Sequence, residues 1–186
     1  MSETVQIKTP WLASKDPEVP STLNYSTLSM CGRVEEMVRQ YPNYIAYEFM
    51  GKTTTYAEMW QKINACAKSL KAIGIREGDK VTICMPNAPQ TLCMFYAVNM
   101  VGAIANMVHP LSAESEISFY LRDSNSVAAI TLDQFYGKFA AIRDKVELNH
   151  LIIAKIGDAL SPAMKVGFAL TQGRKIPKIP ADAPVL

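Results

Sequence analysis

Residues 81–113 contain no Asp, Glu, Lys or Arg, and this uncharged run constrains the fold more than any other feature of the sequence. By hydropathy alone, residues 91–108 resemble a membrane span. The run is interrupted, however. Pro86 and Pro89 break it near its start, Gly102 breaks it later, and Asn87, Gln90, Asn99 and Asn106 would each carry an amide into hydrocarbon at considerable cost. A buried soluble core fits better: a short strand over 81–85, a helix over 90–101, and a second strand over 103–108. Strand, crossover helix and parallel strand form a βαβ unit covered on both faces, and such a unit has no place for charge.

The same alternation extends in both directions. Ser29 is placed to cap a helix bearing Met30, Val34, Met37, Val38 and Tyr41 on one face, with Pro42 as its stop. A strand over 44–50, a Gly51-Lys52 turn and a returning strand Thr53-Thr54-Thr55 read as a hairpin. Thr55 and Glu58 have the spacing of a capping box, and the helix they start carries Tyr56, Met59, Trp60, Ile63, Ala67 and Leu70 until Gly74. Beyond the βαβ unit, Ser112 is placed to cap a helix with Ile117, Tyr120 and Leu121. A strand over 127–132, a helix through Phe135, Phe139 and Ile142, and an apolar run over 151–154 follow. The fold class is therefore α/β, a doubly wound and mainly parallel sheet with an accessory N-terminal hairpin at its edge. Residues 1–28 read as an extension, 29–156 as the α/β subdomain, and 157–186 as a basic, proline-containing linker with a short helix opened by Ser161-Pro162.

Composition excludes several functions. Nineteen Lys plus Arg against seventeen Asp plus Glu leave a net charge of +2, too small for the one-signed field of a nucleic-acid binder. Cys31, Cys66, Cys84 and Cys93 form no C-x-x-C pair, and with only His109 and His150 beside them they assemble no metal-site spacing. Residues 1–10 lack the apolar core of a secretory signal, so the expected location is cytoplasmic, and the Asn24-Tyr25-Ser26 sequon carries no weight. The basic stretch 173–180 reads as a solvated connection, with contact to an anionic membrane surface as the functional alternative.

No G-x-G-x-x-G, G-x-S-x-G or H-E-x-x-H pattern is present, and Gly51-Lys52-Thr53 lacks the first glycine of a phosphate loop because position 46 is Ala. Topology nevertheless offers a location. Ligands of open parallel sheets bind beyond the carboxyl ends of the strands, so Pro86-Asn87-Ala88 and His109-Pro110-Leu111 are expected on one rim. Asn87 and His109 are the leading polar candidates, against the plainer roles of helix cap and loop-carbonyl partner. Asp133 is a weaker third, read first as a helix cap.

The ordered set Thr55-Tyr56-Ala57-Glu58-Met59, Gly78-Asp79-Lys80-Val81 leading to Met85-Pro86-Asn87, Val101-Gly102-Ala103-Ile104 leading to His109-Pro110-Leu111, and Asp123-Ser124 before Ala128-Ala129-Ile130-Thr131 resembles adenylate-forming ligases. Over roughly residues 29–154 it looks like the N-terminal section of an AMP-forming acyl-CoA synthetase of the long-chain fatty-acid type. Met59 replaces the Leu of the family's T-Y-x-E-L element, and His109 replaces the Asn of its N-P. The resemblance implies a partial subdomain of that fold. The whole enzyme would use ATP, magnesium and coenzyme A to turn a carboxylic acid, expected to be a fatty acid, into an acyl-adenylate and then a thioester. It also implies that Asn87, His109 and Pro110 border the substrate or coenzyme A rim and that Met107 and Val108 border an acyl tunnel, with ordinary core packing as the alternative for the last two. The family's phosphate loop and C-terminal domain have no counterpart before Leu186, so no residue is assigned a catalytic role and the chain is expected to be inactive alone. Its partners would then be the acid, ATP, coenzyme A and the remainder of a ligase chain, with self-association through an uncovered apolar face. The competing functions are a freestanding small-molecule or nucleotide-binding domain and a non-catalytic remnant.

Overall fold

The uncharged run folds as its punctuation requires. In the computed structural model, which describes residues 9–173 and 176–186, it forms strand β3 (Lys80–Cys84), helix α3 (Pro89–Val101) and strand β4 (Ile104–Met107). Pro89 occupies the first turn of α3, where its missing N–H costs nothing, and Gly102 ends the helix at φ +82. Three of the four amides that argue against a membrane span have protein partners, and the fourth, Asn87, is exposed. Asn99 Oδ1 accepts from the Cys31 N–H at 2.9 Å, Gln90 Nε2 donates to the Lys155 carbonyl at 2.8 Å, and Asn106 Nδ2 donates to Thr82 Oγ1 at 2.9 Å. Among the described residues no helix is long and apolar enough to cross a membrane.

Helix α1 (Met30–Gln40) is capped by Ser29, whose hydroxyl accepts from the Gly32 N–H at 3.0 Å. Strands β1 (Ile45–Phe49) and β2 (Lys52–Thr55) pair antiparallel as a two-stranded sheet of their own, hydrogen-bonded to none of the other four strands. The turn is Met50-Gly51 rather than Gly51-Lys52. Phe49 pairs with Lys52, and both loop residues have positive φ, 50° and 72°, which is the type I′ geometry that suits the twist of a hairpin. Helix α2 (Tyr56–Ala72) starts on the expected capping box, with Thr55 N–H donating to Glu58 Oε2 at 2.8 Å and Glu58 N–H to Thr55 Oγ1 at 3.3 Å.

Helix α4 (Glu114–Asp123) is capped at Ala113, not Ser112. Glu116 Oε2 accepts from the Ala113 N–H at 2.9 Å, and this carboxylate fixes the start in place of a hydroxyl. Strand β5 (Ser126–Leu132) follows. The expected helix through Ile142 is shorter: a 3-10 turn Asp133–Phe135 leads into α5 (Tyr136–Ala141), and Ile142 falls just past its end. Strand β6 (His150–Ala154), a 3-10 turn Ile156–Ala159 and helix α6 (Pro162–Thr171) complete the order. Residues 176–180 contain no helix or strand, and Arg174 and Lys175 lie outside the described residues, as do residues 1–8 of the segment read for a signal. Leu186 returns to the edge of β6, donating its N–H to the Leu151 carbonyl and accepting from the Ile153 N–H, each at 3.0 Å.

Strands β3 to β6 form one parallel sheet in the order β4-β3-β5-β6. Period-two alternation sends Val81, Ile83, Ala128, Ile130 and Leu132 to a core under α2 and α3, where Ile63 and Val98 are completely buried. The opposite residues Cys84 and Ala129 meet Ile117, Leu121, Phe139 and Ile142 beneath α4 and α5. Connection β3-α3-β4 thus crosses one face, while α4 and α5 cross the other, and the sheet is doubly wound.

Candidate functional site

The segment leaving β3 turns toward α3, while the segment leaving β5 turns toward α5 on the opposite face. Adjacent strands whose exits diverge in this way leave a crevice at their carboxyl ends. An open groove of about 460 Å³ lies there, lined by residues from the exits of β3, β4 and β5. Asn87, Met107, Val108, His109 and Pro110 all line it, together with Met85, Gln134 and Phe135.

Their environments differ. Asn87 and His109 are exposed, while Pro110 and Val108 are buried. Asn87 does not cap α3, because the cap position falls on Ala88 and carries no side-chain bond. His109 Nδ1 accepts from the Leu111 N–H at 3.3 Å, which leaves Nε2 as the ring nitrogen not engaged in holding the loop. Val108 borders the groove and also packs into the second core with Ile117, Leu121 and Phe139, while Met107 is 51% exposed. Asp133 is not the cap of α5. It opens the 3-10 turn before that helix, and its Oδ1 accepts from the Gln134 N–H at 2.9 Å. Burial raises its carboxyl above the ordinary range, and the Gln134 amide bond partly offsets that.

Beneath the groove, Cys84 Sγ lies 3.8 Å from the His109 carbonyl. Burial pushes its thiol up to about 11, with Lys138 pulling weakly the other way, so the group is a neutral packing side chain at physiological pH and no thiolate nucleophile.

Sequence reasoning missed Lys138. Its ammonium donates to the Pro110 carbonyl at 3.0 Å and the Ser112 carbonyl at 2.7 Å, and sits 5.9 Å from the Phe135 ring. One cation therefore ties the β4 exit loop to α5. It also faces a broader cleft of about 830 Å³ between α4 and α5, beside Arg122 and Lys145. No local spacing announces this contact, since Lys138 and Pro110 are 28 positions apart. Gln134 and Phe135 could have been found, because they follow β5 as the other two loops follow their strands. Among the described residues no group of three or more His, Cys, Asp or Glu side chains is placed to hold a metal ion.

Comparison with known proteins places this geometry. Residues 34–180 match the AMP-binding enzyme family. A long-chain-fatty-acid–CoA ligase of Bacillus subtilis is 27% identical over 172 residues, covering 92% of this chain and 31% of the relative. The crystal structure of a long-chain-fatty-acid-CoA ligase from Archaeoglobus fulgidus superposes with a TM-score of 0.66 at 18% identity, over 72% of this chain and 28% of that one. A Mycobacterium tuberculosis fatty acyl CoA synthetase structure gives a TM-score of 0.63 at 31% identity, over 72% of this chain and 27% of the other. The chain thus spans about a third of the length of the curated relative, and its parallel sheet with a separate hairpin matches the N-terminal part of such structures.

Proposed function

The chain belongs to the AMP-binding enzyme family, and from that premise we propose that it is the N-terminal part of an ATP-dependent acyl-CoA synthetase acting on a fatty acid or a related carboxylic acid. The observation that carries the proposal is the family match across 34–180 combined with coverage of only 31% of a ligase relative. In the whole reaction a carboxylate oxygen attacks the α-phosphorus of ATP and expels pyrophosphate. The thiol of coenzyme A then attacks the acyl carbon and expels AMP. Adenylation converts a poor leaving group into a good one.

This chain contributes scaffold and border, with no residue assigned to bond making. Asn87 and His109 offer an amide and a ring nitrogen on an exposed rim, suited to hydrogen-bonding the amide-rich pantetheine arm of coenzyme A or the head of the acid. Met107 offers adaptable apolar surface beside them for an acyl chain. Lys138 holds the loop that presents His109.

The test is pyrophosphate release by the native gene product, assayed with ATP, coenzyme A and a series of fatty acids. Acid-dependent release that falls when His109 and Asn87 are both replaced by Ala supports the proposal. Binding of coenzyme A or nucleotide by an intact, folded gene product with no pyrophosphate release would overturn it in favour of a ligand-binding α/β domain.

A further inference from the structure

Lys138 is a half-buried cation without a counter-ion. Among the described residues no carboxylate pairs with it, and Glu114, the one acid lining the cleft it faces, forms no ion pair there. Taking an ammonium partly out of water costs free energy, and an ion pair is the usual compensation. Here the compensation is two backbone carbonyls, Pro110 at 3.0 Å and Ser112 at 2.7 Å. The platform that carries the ammonium is firm. Phe139, the next residue of α5, and Ile142, just past the helix end, are buried in the second core with Ile117 and Leu121.

The segment it holds has little else to fix it on that side. Ser112 N–H donates to the His109 carbonyl at 3.1 Å, closing residues 109–112 into a four-residue turn, and His109 Nδ1 accepts from the Leu111 N–H at 3.3 Å. Pro110 is buried but has no N–H to give, and His109 and Leu111 on either side of it are exposed. Among the described residues, the two Lys138 bonds are the only hydrogen bonds that join this turn to the segment leaving β5. The turn also sets the proton of the imidazole. A neutral ring whose Nδ1 accepts carries its hydrogen on Nε2. His109 therefore brings a donor to the groove it lines, and a donor recognises an acceptor oxygen such as an amide carbonyl or a carboxylate.

We propose that Lys138 is the positioning residue of this rim: it holds the 109–112 turn against α5 so that His109 offers its Nε2–H to an acceptor oxygen of the bound ligand. Lys138 touches no ligand itself and acts on whichever substrate the rim borders, so this role rests on the acyl-CoA synthetase reading above. The chemistry accounts for the residue type. Two carbonyls two positions apart converge on one point, and an ammonium places three donors there. A guanidinium spreads its donors over a planar fork, and a thioether offers none.

The native gene product is compared with Lys138→Met, which keeps most of the apolar stem, with Lys138→Arg and with His109→Ala. Lys138→Met is expected to raise KM for the acid or for coenzyme A about fivefold or more, with KM for ATP and kcat within about twofold of wild type. Lys138→Arg is expected to fall between the two. In the His109→Ala background Lys138→Met should add nothing, because its effect runs through the ring. Hydrogen exchange followed by mass spectrometry should quicken in the peptide carrying Leu111 and Ser112 and stay unchanged in those covering β3 and β5. An unchanged KM, additive effects of the two substitutions, or exchange that quickens across the whole sheet, as a merely structural lysine would give, overturns the proposal. A wild type that releases no pyrophosphate sinks the reaction instead, and the positioning role is then decided by the Kd for coenzyme A, which Lys138→Met should raise by the same factor. An equal Kd overturns the positioning role, and a wild type that binds no coenzyme A overturns both.

Discussion

Thr82 is the residue whose replacement tests the folding argument most directly. It is completely buried in β3, and its hydroxyl sits 2.7 Å from Ser126 Oγ and 2.9 Å from Asn106 Nδ2. The direction of each bond follows from proton counting. Ser124 Oγ donates its only proton to the Tyr120 carbonyl at 2.7 Å, so in the 2.8 Å contact between Ser124 and Ser126 the donor is Ser126. Ser126 has then spent its proton, so Thr82 donates to Ser126. Asn106 completes the circuit by donating to Thr82 and, at 3.0 Å, to Ser124. Thr82→Val keeps the shape but leaves one N–H of the half-buried Asn106 and one lone pair of the buried Ser126 without protein partners. A lost buried partner of this kind costs about 1–2 kcal/mol. With a urea dependence of about 2 kcal/mol per molar, the unfolding midpoint should fall by about 0.5–1 M at unchanged slope. Ser126→Ala should cost a similar amount, and the double variant should cost less than the sum by about 0.5–1 kcal/mol, because each change removes part of what the other would orphan. Urea titrations of the four proteins followed by circular dichroism measure the cycle. Strict additivity, or a Thr82→Val midpoint unchanged from wild type, would refute the network as a unit.

Three further outcomes follow from local geometry. Met50 is 58% exposed with φ 50 in the turn that Asn-Gly fills best, so Met50→Asn should stabilise the chain by about 0.5–1 kcal/mol, read as a higher urea midpoint. Gly102 and Gly74 have similar φ, +82 and +92, but a Cβ at Gly102 would lie 3.1 Å from Glu77 Cγ whereas one at Gly74 meets nothing within 4 Å. Both Ala variants should therefore destabilise by about 1 kcal/mol from backbone strain, with Gly102→Ala the worse of the two by thermal melting. The Glu58 carboxyl is held below its ordinary value, first by the Thr55 backbone N–H and then by the Thr55 hydroxyl. Its folded pKa lies below its unfolded one, so the stability it adds is complete above the unfolded value and is lost as pH falls through the folded one. Glu58→Gln should flatten that part of the stability profile and leave neutral-pH activity of the whole enzyme unchanged; an unaltered acid limb would count against the capping role.

Much of the fold was legible because one physical demand dominated each segment. An uncharged run broken by Pro86, Pro89 and Gly102 leaves few alternatives to strand, helix and strand, and β3, α3 and β4 lie where those breaks put them. Where two demands competed, the local reading failed. Gly51 suited a turn starting at itself, but the pairing of Phe49 with Lys52 placed it second and left Met50 to take a positive φ. Ser112 was the better cap by residue type, yet its carbonyl is held by Lys138, and Ala113 became the cap with Glu116 reaching back. Contacts of long sequence separation, such as Lys138 to Pro110 or Thr82 to Ser126, leave no periodic trace.

The rim was legible for a different reason, and that reason limits what it means. Any chain with the order β4-β3-β5-β6 whose exits from β3 and β5 diverge opens a crevice at this point, whatever side chains line it. That Asn87, Met107, Val108, His109 and Pro110 share one groove is therefore a consequence of topology, and it carries no chemical information by itself. The chemical content lies in how each residue is held. Asn87 leaves the capping of α3 to Ala88, and His109 commits only Nδ1 to its loop. Lys138 fixes two carbonyls of that loop to α5 on the opposite face of the sheet from α3. A rim with two exposed polar groups and a cation-clamped loop has the parts of a border that orients a flexible, amide-bearing ligand. Cys84 beneath it, its thiol pushed up to about 11 by burial, is a neutral packing group. If the rim borders a ligand without taking part in bond making, its contribution to a reaction would appear in KM for that ligand before it appears in kcat.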